Sequence, residues 1–226
     1  MAVAPGTVFL FDVDNTLLDN DAVADDLRRH LTEEFGEEPQ RRYWAEFERL
    51  RSELGYADYL GALQRFRVAY PHDTRMLGMS DWLIEYPFAE RLYPGAMAVV
   101  ERVGEHGRPV ILSDGDVVFQ PRKVRRSGLW DAFDGNVLIY IHKEHELDDV
   151  ERLYPAERYV LVDDKLRILA AVKEVWGDRV TTVFPRQGHY ANDEAILAST
   201  PPADVAVDRI GDLLGPALST VLSAGC

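Results

Sequence analysis

Short apolar runs separated by amphipathic stretches dominate the pattern of hydrophobic and polar residues along this chain. Six of these runs predict buried β-strands, at residues 7–11 (TVFLF), 109–113 (PVILS), 136–141 (NVLIYI), 158–162 (RYVLV), 179–184 (RVTTVF) and 204–208 (DVAVD). Five stretches with helical spacing lie between or after them, at residues 94–106, 117–127, 165–176, 192–199 and 210–223. The strands are continuously apolar, which is typical of a parallel sheet covered by helices on both faces. We therefore expect a doubly wound, Rossmann-like α/β core.

Residues 21–90 interrupt this alternation because they contain no convincing strand. Apolar residues recur there at three- and four-residue spacing, for example in AVADDLRRHLTEEF and QRRYWAEFERLRSEL, which predicts amphipathic helices. We expect a mainly helical cap domain at residues 20–90, inserted after the first strand, and an α/β core formed by residues 1–19 and 91–226. Ligands of such sheets bind beyond the carboxyl ends of the strands, so an insertion that leaves the sheet there would cover the ligand.

The composition narrows the classes of function. With 226 residues, 46% of them hydrophobic, the chain can form one large domain or a core with a smaller accessory domain. The net charge of −14 argues against nucleic-acid binding, which requires a basic surface, but it allows a local positive site for a small phosphorylated substrate. The single cysteine, Cys226, excludes an intramolecular disulfide framework and a cysteine-rich zinc site. Because no signal peptide or membrane span is recognisable, we expect a cytoplasmic monomer or homodimer that does not bind membranes.

Four of the predicted strands end in polar or charged residues. In strand order these residues are Asp12 and Asp14, then Ser113, Asp114 and Gly115, then Lys143, and finally Asp163 and Asp164. The carboxyl ends of parallel strands lie on one rim of a sheet, so we expect these side chains to surround one small volume. Carboxylates that face the same volume repel each other, and a divalent cation or a lysine would relieve that repulsion.

The same residues resemble the motifs of the haloacid dehalogenase (HAD) superfamily of hydrolases, and the resemblance extends over nearly the whole chain. FDVDNTLLDN is similar to the first motif of the family, with Asp12 in the nucleophile position, and ILSDG is similar to the second, which contains Ser113. Lys143 is the candidate for the basic residue of the third motif, and LVDDK resembles the acidic fourth motif. The helical insertion lies where one class of the family has its cap.

The resemblance implies a phosphatase that depends on Mg²⁺ (magnesium) and acts through an aspartyl-phosphate. Asp12 would attack phosphorus, and Asp14 would protonate the leaving oxygen and later accept a proton from water. Mg²⁺ would be held by the Asp12 carboxylate, the Asp14 backbone carbonyl and an acid of the fourth motif. Alignment on the family's pattern favours Asp164 as the direct ligand, with Asp163 as the alternative.

The resemblance also implies which residues bind the phosphoryl group. Ser113, Lys143 and the backbone N–H groups around Asp114 and Gly115 would take up the charge of its oxygens. Thr16 is a further candidate for the substrate site, and we expect it to fix the first-motif loop through a hydrogen bond to the second aspartate of that motif.

The third motif departs most from the family, because Glu144 follows Lys143 at a position where proline is frequent. Lys123 is an alternative basic residue, but it belongs to a predicted helix after the second motif. Lys143 directly follows a strand, so its expected position favours it. We expect the basic run of that helix to be a solvated face, with steering of anionic substrates as the alternative; its members are Arg122, Lys123, Arg125 and Arg126.

Other conspicuous side chains have structural interpretations. We expect the two histidines of HKEH to lie on the surface without a metal, at His142 and His145. We expect three aromatic residues to pack the core of the cap, namely Tyr43, Trp44 and Phe47. Capping and hinge roles are expected for Asp19, Asn20 and Asp21. Three residues after the fifth strand are candidates for the wall of the site, namely Arg186, Gln187 and His189.

Two other reactions and one non-enzymatic role compete with phosphate-ester hydrolysis. Haloacid dehalogenases use the same nucleophile without a metal, but the residue two positions later is usually not aspartate, so Asp14 favours phosphoryl transfer. A phosphomutase shares the machinery and transfers phosphate to a sugar instead of water. A catalytically idle binding module would be expected to lack a motif acid, and all of these acids are present.

Overall fold

The core of the molecule is a sheet of six parallel strands. The computed structural model describes residues 6–224. Its strands are β1 (Thr7–Phe11), β2 (Arg108–Asp114), β3 (Val137–Tyr140), β4 (Arg158–Val162), β5 (Val180–Pro185) and β6 (Val205–Val207). The strand order is β3-β2-β1-β4-β5-β6, so the direction of winding reverses at β1, which pairs with β2 on one side and β4 on the other. The predicted doubly wound α/β class is confirmed, and a crevice at this reversal is the expected place for a ligand.

Helices cover both faces of the sheet. The α-helices are α1 (Asn20–Phe35), α2 (Glu37–Leu54), α3 (Tyr59–Ala69), α4 (Arg75–Glu85), α5 (Ala96–Gly104), α6 (Phe119–Arg126), α7 (Leu129–Ala132), α8 (Leu147–Leu153), α9 (Leu166–Trp176), α10 (Glu194–Ser199) and α11 (Pro216–Ser223). Short 3₁₀ helices lie at Phe88–Arg91, Lys143–His145, Gly177–Arg179, Tyr190–Asn192 and Ile210–Leu214. Within residues 6–224, none of the helices has the length and apolar character needed to cross a membrane. Cys226 lies outside the described residues.

The alternating faces of β1 explain why its sequence is apolar throughout. Phe9 and Phe11 belong to one buried cluster, and Val8 and Leu10 belong to a second cluster on the other face of the sheet. Successive side chains of a strand point to opposite faces, so both sets of residues must be apolar when both faces are covered. Asp12, which follows directly, is therefore the first polar residue at the end of this buried apolar strand.

Helices α1–α4, termed the inserted helices, lie between β1 and β2 in the chain. The two chain segments that connect them to the sheet run side by side. The Asp19 N–H donates to the Arg91 carbonyl over 2.7 Å, and the Tyr93 N–H donates to the Leu17 carbonyl over 2.9 Å. The chain thus leaves and re-enters the core at one place, beyond the carboxyl end of β1.

The inserted helices have an apolar interior that is continuous with one face of the core. Leu27, Tyr43, Phe66 and Met79 come from the four different helices and belong to the same buried cluster as Phe11. Burial of side chains of this size stabilises a fold by about 1.5–3 kcal/mol each. The inserted helices thereby share one apolar core with this face of the sheet and contact α6.

The helix predicted at residues 117–127 begins two residues later, at Phe119. The Asp116 carboxylate accepts hydrogen bonds from the N–H groups of Val118 and Phe119 and holds the turn that precedes the helix. The stretch 210–223 is divided into a 3₁₀ helix and α11, with Gly215 between them. Helices α7 and α8 were not predicted, because with four and seven residues each is too short to show a helical repeat of apolar residues.

Candidate active site

Asp12 and Asp14 lie on the loop that continues β1. The Asp12 N–H donates to the Val162 carbonyl over 2.9 Å, so the ladder between β1 and β4 extends to the first aspartate. The chain then turns at Asn15, which has a positive φ of 60°, a conformation that asparagine tolerates better than most residues. The Asn15 side chain holds the start of α1 by accepting from the N–H groups of Asn20 and Asp21.

Lys143 lies against Asp12 at the end of the β3 segment, as the sequence predicts. Its ammonium group donates to Asp12 Oδ1 over 2.6 Å and to the Leu112 carbonyl over 3.1 Å, and it lies 2.6 Å from Asp163 Oδ2. All three charged side chains are buried. Burial alone would lower the pKa of Lys143, but the surrounding carboxylates raise it well above its usual value. A fixed positive charge therefore lies beside the predicted nucleophile.

Three buried carboxylates form a cluster at the ends of β1 and β4. Within the described residues, the single group of potential metal ligands consists of Asp12, Asp163 and Asp164, whose oxygens lie within 4.8 Å of one another. Both oxygens of Asp164, Oδ2 of Asp12 and Oδ2 of Asp163 have no hydrogen-bond partner, although the Asp163 oxygen forms the ion pair with Lys143. Burial raises the pKa of Asp163 and, by a larger amount, that of Asp164.

The donor set fits a hard divalent cation, because such ions bind carboxylate oxygens and the unpartnered oxygens would otherwise remain buried without compensation. Asp163 is already engaged by Lys143 and by the Lys165 N–H, which donates to its Oδ1 over 2.8 Å. Asp164 is not engaged in this way, so the geometry favours it as the direct ligand.

Thr16 connects the first-motif loop to the fourth-motif loop. We expected its hydroxyl to bond Asp14, but it accepts a hydrogen bond from the Asp164 N–H over 3.0 Å. The expected bond to Asp14 is therefore wrong. Thr16 is completely buried, which favours a role in fixing the Asp164 backbone over direct contact with a substrate.

The residues after β2 hold the neighbouring loops together. Ser113 accepts a hydrogen bond from the Gln120 side chain over 3.0 Å, and Asp114 Oδ1 accepts from the Lys143 N–H over 2.9 Å. The N–H of Gly115 donates to the Tyr140 carbonyl over 2.9 Å, so this particular N–H is not directed at phosphate as expected. A Cβ at Gly115 would lie 2.6 Å from Gln120 Cβ, so glycine allows the Gln120 side chain to approach Ser113.

The environment of Lys123 differs from the one that the basic run predicts. We expected a solvated helix face at this position, but Lys123 is completely buried. Its ammonium group donates to both oxygens of Asp14, over 2.7 and 2.8 Å, and to Asn20 Oδ1 over 3.0 Å. Lys123 therefore contacts the second aspartate of the first motif, whereas Lys143 contacts the first. The helical spacing of Lys123 from the apolar Phe119 and its position next to Val124 were a signal for its burial, although not for its partner.

The other members of the basic run have different environments. Arg122 and Arg126 bind Glu85 and the backbone carbonyls at the end of α4. The guanidinium of Arg125 lies over the ring of Trp130, 3.6 Å from its centroid. The run thus joins α6 to the inserted helices and to α7.

A cavity of about 560 Å³ lies between the strand ends and the inserted helices. Its lining from the core includes Asp14, Asp114, Gly115, Lys123, Asp164 and Lys165, and its lining from the inserted helices includes Arg28, Trp44, Phe47, Arg51 and Tyr59. Trp44 and Phe47 pack edge to face, with ring centroids 5.1 Å apart. They belong to the apolar interior of the inserted helices and also line the cavity. Tyr43 is buried, as expected.

The segment after β5 supplies one wall of the cavity. His189 lines the cavity and pairs with Asp21, its Nδ1 lying 2.7 Å from the carboxylate. Gln187 is buried and donates to the carbonyls of Asn15 and Thr16, so it stabilises the backbone of the first-motif loop.

Comparisons with known proteins agree with this geometry. The family description "haloacid dehalogenase-like hydrolase" matches residues 7–175. A solved structure from Burkholderia xenovorans, described as a haloacid dehalogenase-like hydrolase, has 66% sequence identity and a TM-score of 0.88, with 92% of this chain and 97% of that chain covered. A search of curated proteins found no match.

More distant structures share the fold. The L-2-haloacid dehalogenase of Xanthobacter autotrophicus with covalently bound chloropropionic acid has 19% identity and a TM-score of 0.60, over 91% of this chain and 96% of that chain. A magnesium-bound HAD hydrolase of Bacillus subtilis has 16% identity and a TM-score of 0.60, over 92% and 96% of the two chains. Since the family match covers most of the chain and the Burkholderia structure is similar throughout, the chain belongs to the haloacid dehalogenase-like hydrolases.

Proposed function

We propose that this hydrolase is a Mg²⁺-dependent phosphomonoesterase that acts on a small phosphorylated metabolite through an aspartyl-phosphate. The observation that carries the proposal is the group of unpartnered buried oxygens on Asp12 and Asp164. These oxygens fit a divalent cation, which phosphoryl transfer uses and which displacement of a halide from carbon does not need. The carboxylate of Asp14, which borders the cavity, adds a group that can move a proton.

In the first step, an oxygen of the Asp12 carboxylate attacks phosphorus, and the new O–P bond replaces the bond to the ester oxygen. The leaving oxygen receives a proton from Asp14 and departs as an alcohol. Lys143 holds the Asp12 carboxylate in position through its 2.6 Å hydrogen bond. A side chain fixed in this way loses little further freedom when the reaction begins.

In the second step, water attacks the phosphorus of the aspartyl-phosphate. Asp14 accepts a proton from this water, inorganic phosphate leaves, and the Asp12 carboxylate is regenerated. Both steps use Asp14, first as an acid and then as a base.

Asp12 and Asp164 would hold the cation, with the Asp14 backbone carbonyl as the third predicted ligand. When bound, Mg²⁺ would offset the negative charge of the phosphoryl oxygens and that of the carboxylates around it. Lys143 and the Ser113 hydroxyl would stabilise the charge that develops on those oxygens.

We also propose that the inserted helices act as a cap domain over this site. Trp44, Phe47 and Arg28 line the cavity opposite the strand ends, and the two connections at Asp19 and Arg91 lie side by side. This arrangement supports closure about one hinge, which would exclude water and select the substrate.

The function is tested by measuring phosphate release from a panel of phosphorylated metabolites, with Mg²⁺ and with a chelator. We expect Mg²⁺-dependent turnover of at least one substrate and its loss in Asp12→Asn. Asp148→Asn, which changes an exposed aspartate on α8, is the matched control and should leave turnover unchanged.

Other outcomes identify the competing reactions. Metal-independent release of halide from 2-haloacids, without phosphate release, would contradict the proposal in favour of a dehalogenase. Transfer of phosphate between sugar positions would indicate a mutase. Binding of phosphorylated metabolites without turnover in every assay would indicate an idle binding module.

A further inference from the structure

We propose that Lys123 is a positioning residue that holds the carboxylate of Asp14 where it can exchange a proton with the ester oxygen of the substrate. This inference rests on the proposed phosphomonoesterase function. It concerns a residue outside the four family motifs, and it arises from the geometry of α6.

The contact between Lys123 and Asp14 is bidentate. The ammonium group lies 2.7 Å from Oδ1 and 2.8 Å from Oδ2 of Asp14. Lys123 has a completely buried side chain, whereas 24% of the Asp14 side chain is exposed. In the ionised form, two bonds fix both the place of the carboxylate and the orientation of its plane, while its exposed part still borders the cavity. In the protonated form that acts as the acid, the oxygen without the proton still accepts from Lys123, so the group stays in place.

The environment of Lys123 explains how its charge is tolerated. A buried ammonium group is costly unless it is paired and hydrogen-bonded. Besides Asp14, it donates to Asn20 Oδ1 over 3.0 Å, and it lies 5.6 Å from the ring centroid of Phe119 and 6.0 Å from that of Tyr59. The three hydrogen bonds use the three protons that a lysine ammonium can donate.

A positioning group is needed here because the side chain of Asp14 is partly exposed. Without a partner, its carboxylate would be free to rotate within the cavity that it borders. Lys123 attracts the carboxylate toward α6 instead. Gln120, one turn earlier on the same helix, donates to Ser113 over 3.0 Å and lies 3.4 Å from Asp14. Helix α6 therefore contacts both Asp14, the proposed proton-transfer residue, and Ser113, which is predicted to bind the phosphoryl group.

The same lysine connects the site to the inserted helices. Asn20 is the first residue of α1, and its side-chain amide donates to the Tyr59 hydroxyl on α3 over 3.2 Å. Lys123 is thus bonded at once to the first-motif loop and to the base of the inserted helices. Asp14 would be held in its productive position when these helices are packed as they are in this structure.

The test compares two substrates that differ in their need for proton transfer. An alkyl phosphate requires protonation of its leaving oxygen, whereas p-nitrophenyl phosphate releases a stable phenolate without it. In Lys123→Met we expect kcat/KM to fall by about 100-fold or more for the alkyl phosphate, within the range for loss of an acid catalyst, and by less than about 5-fold for the aryl phosphate. The ratio kcat/KM reports the steps up to aspartyl-phosphate formation, so the later attack by water does not obscure this comparison.

A double-mutant cycle distinguishes positioning from a general structural effect. Asp14→Asn should show the same dependence on the leaving group, and Lys123→Met should have almost no additional effect in the Asp14→Asn background. Arg125→Ala on the same helix is the control and should leave both substrates unaffected. If Lys123→Met does not fold, as judged by circular dichroism, Lys123→Gln keeps a hydrogen-bond donor without the charge and should give a smaller change of the same kind.

The outcomes separate failure of this inference from failure of the proposed function. Equal losses for the two substrates, or independent effects of the two substitutions, would overturn the positioning role in an active phosphatase. A crystal structure of Lys123→Met with Asp14 in its original place would overturn it as well. The alkyl phosphate is a metabolite that the wild type hydrolyses in the substrate panel; absence of turnover across that whole panel would instead refute the phosphomonoesterase function, and this inference with it.

Discussion

The ammonium group of Lys143 lies 2.6 Å from an oxygen of Asp12, and both side chains are almost completely removed from solvent. Asp163 completes the group from the other side of the lysine, also at 2.6 Å. A buried ion pair is not by itself a source of stability, because desolvation opposes the attraction. Removal of one partner is strongly destabilising, because the remaining charges are then buried without compensation.

Lys143→Met should therefore reduce both stability and activity. We expect unfolding in urea to require about 3–5 kcal/mol less free energy without Mg²⁺, because the carboxylates of Asp12 and Asp163 lose their buried partner. Phosphatase turnover should fall at least about 100-fold, as for loss of a donor that stabilises transition-state charge. Lys173→Met is the matched control, since Lys173 forms a partly exposed pair with Asp204 of a kind that contributes less than about 1 kcal/mol. Equal destabilisation by both substitutions would contradict this account.

The two aspartates of the fourth motif should differ in their effect on metal binding. In the wild type, Mg²⁺ at 100 times its dissociation constant should increase the free energy of unfolding by about 2.7 kcal/mol. Asp164→Asn should abolish this increase because neither oxygen of the Asp164 carboxylate has a hydrogen-bond partner. Asp163→Asn should retain most of it, since Asp163 is held by Lys143 and the Lys165 N–H. Thermal denaturation with and without Mg²⁺ measures both effects, and the reverse order would identify Asp163 as the direct ligand.

The strand ends of this protein could be predicted from sequence because they follow from local patterns. The bounds of β1 and β4 agree with the predicted ones, since each is a continuous apolar run that both faces of the sheet require. Lys143 could be placed beside Asp12 for the same reason, as it follows β3 on the rim where β1 also ends. These inferences need only the alternation of strands and helices, not the positions of particular atoms.

The hydrogen-bond partners of Lys123 and Thr16 could not be predicted from local patterns. Lys123 is part of a basic run, and a count of charges favours solvent for all its members, but its partner Asp14 lies 109 positions earlier in the chain. The partner of Thr16 lies 148 positions away and is a backbone N–H, a group that every residue except proline possesses. Neither pairing leaves a local pattern in the sequence, because only the packing of α6 and the β4 loop brings the partners together.

Thr16→Val should show the importance of the bond between the first- and fourth-motif loops. Valine has a similar shape but cannot accept a hydrogen bond, so the buried N–H of Asp164 would lose its partner, at a cost of about 1–3 kcal/mol in the free energy of unfolding. Mg²⁺ affinity should also fall by about 10–100-fold, because Asp164 would be held less firmly. Thr16→Ser keeps the hydroxyl and is the control. Calorimetric titration with Mg²⁺ measures the affinity, and an unchanged value in Thr16→Val would show that Asp164 does not depend on this bond.

A cluster around Asp26, which joins α1 to the chain segment after α4, should make stability depend on pH. Asp26 on α1 faces Arg29 of its own helix, Tyr86 and Arg91. Burial raises the pKa of Asp26, but the hydrogen bonds from Tyr86 and Arg91 outweigh burial and leave the pKa below its usual value. Burial and the hydrogen bond to Asp26 raise the pKa of Tyr86 to about 12.

Because the folded-state pKa of Asp26 is lowered, its ionised form stabilises the fold above the unfolded-state value of about 3.9, and this contribution is lost as the pH falls below that value. The difference in free energy of unfolding between the wild type and Asp26→Asn should thus be constant near neutral pH and decrease between about pH 5 and pH 2. Urea denaturation across this range provides the measurement. Asp25→Asn is the control, because Asp25 is largely exposed and pairs with Arg28 in solvent, where such a pair contributes little. A difference for Asp26→Asn that does not change with pH would show that Asp26 acts through packing rather than through its charge.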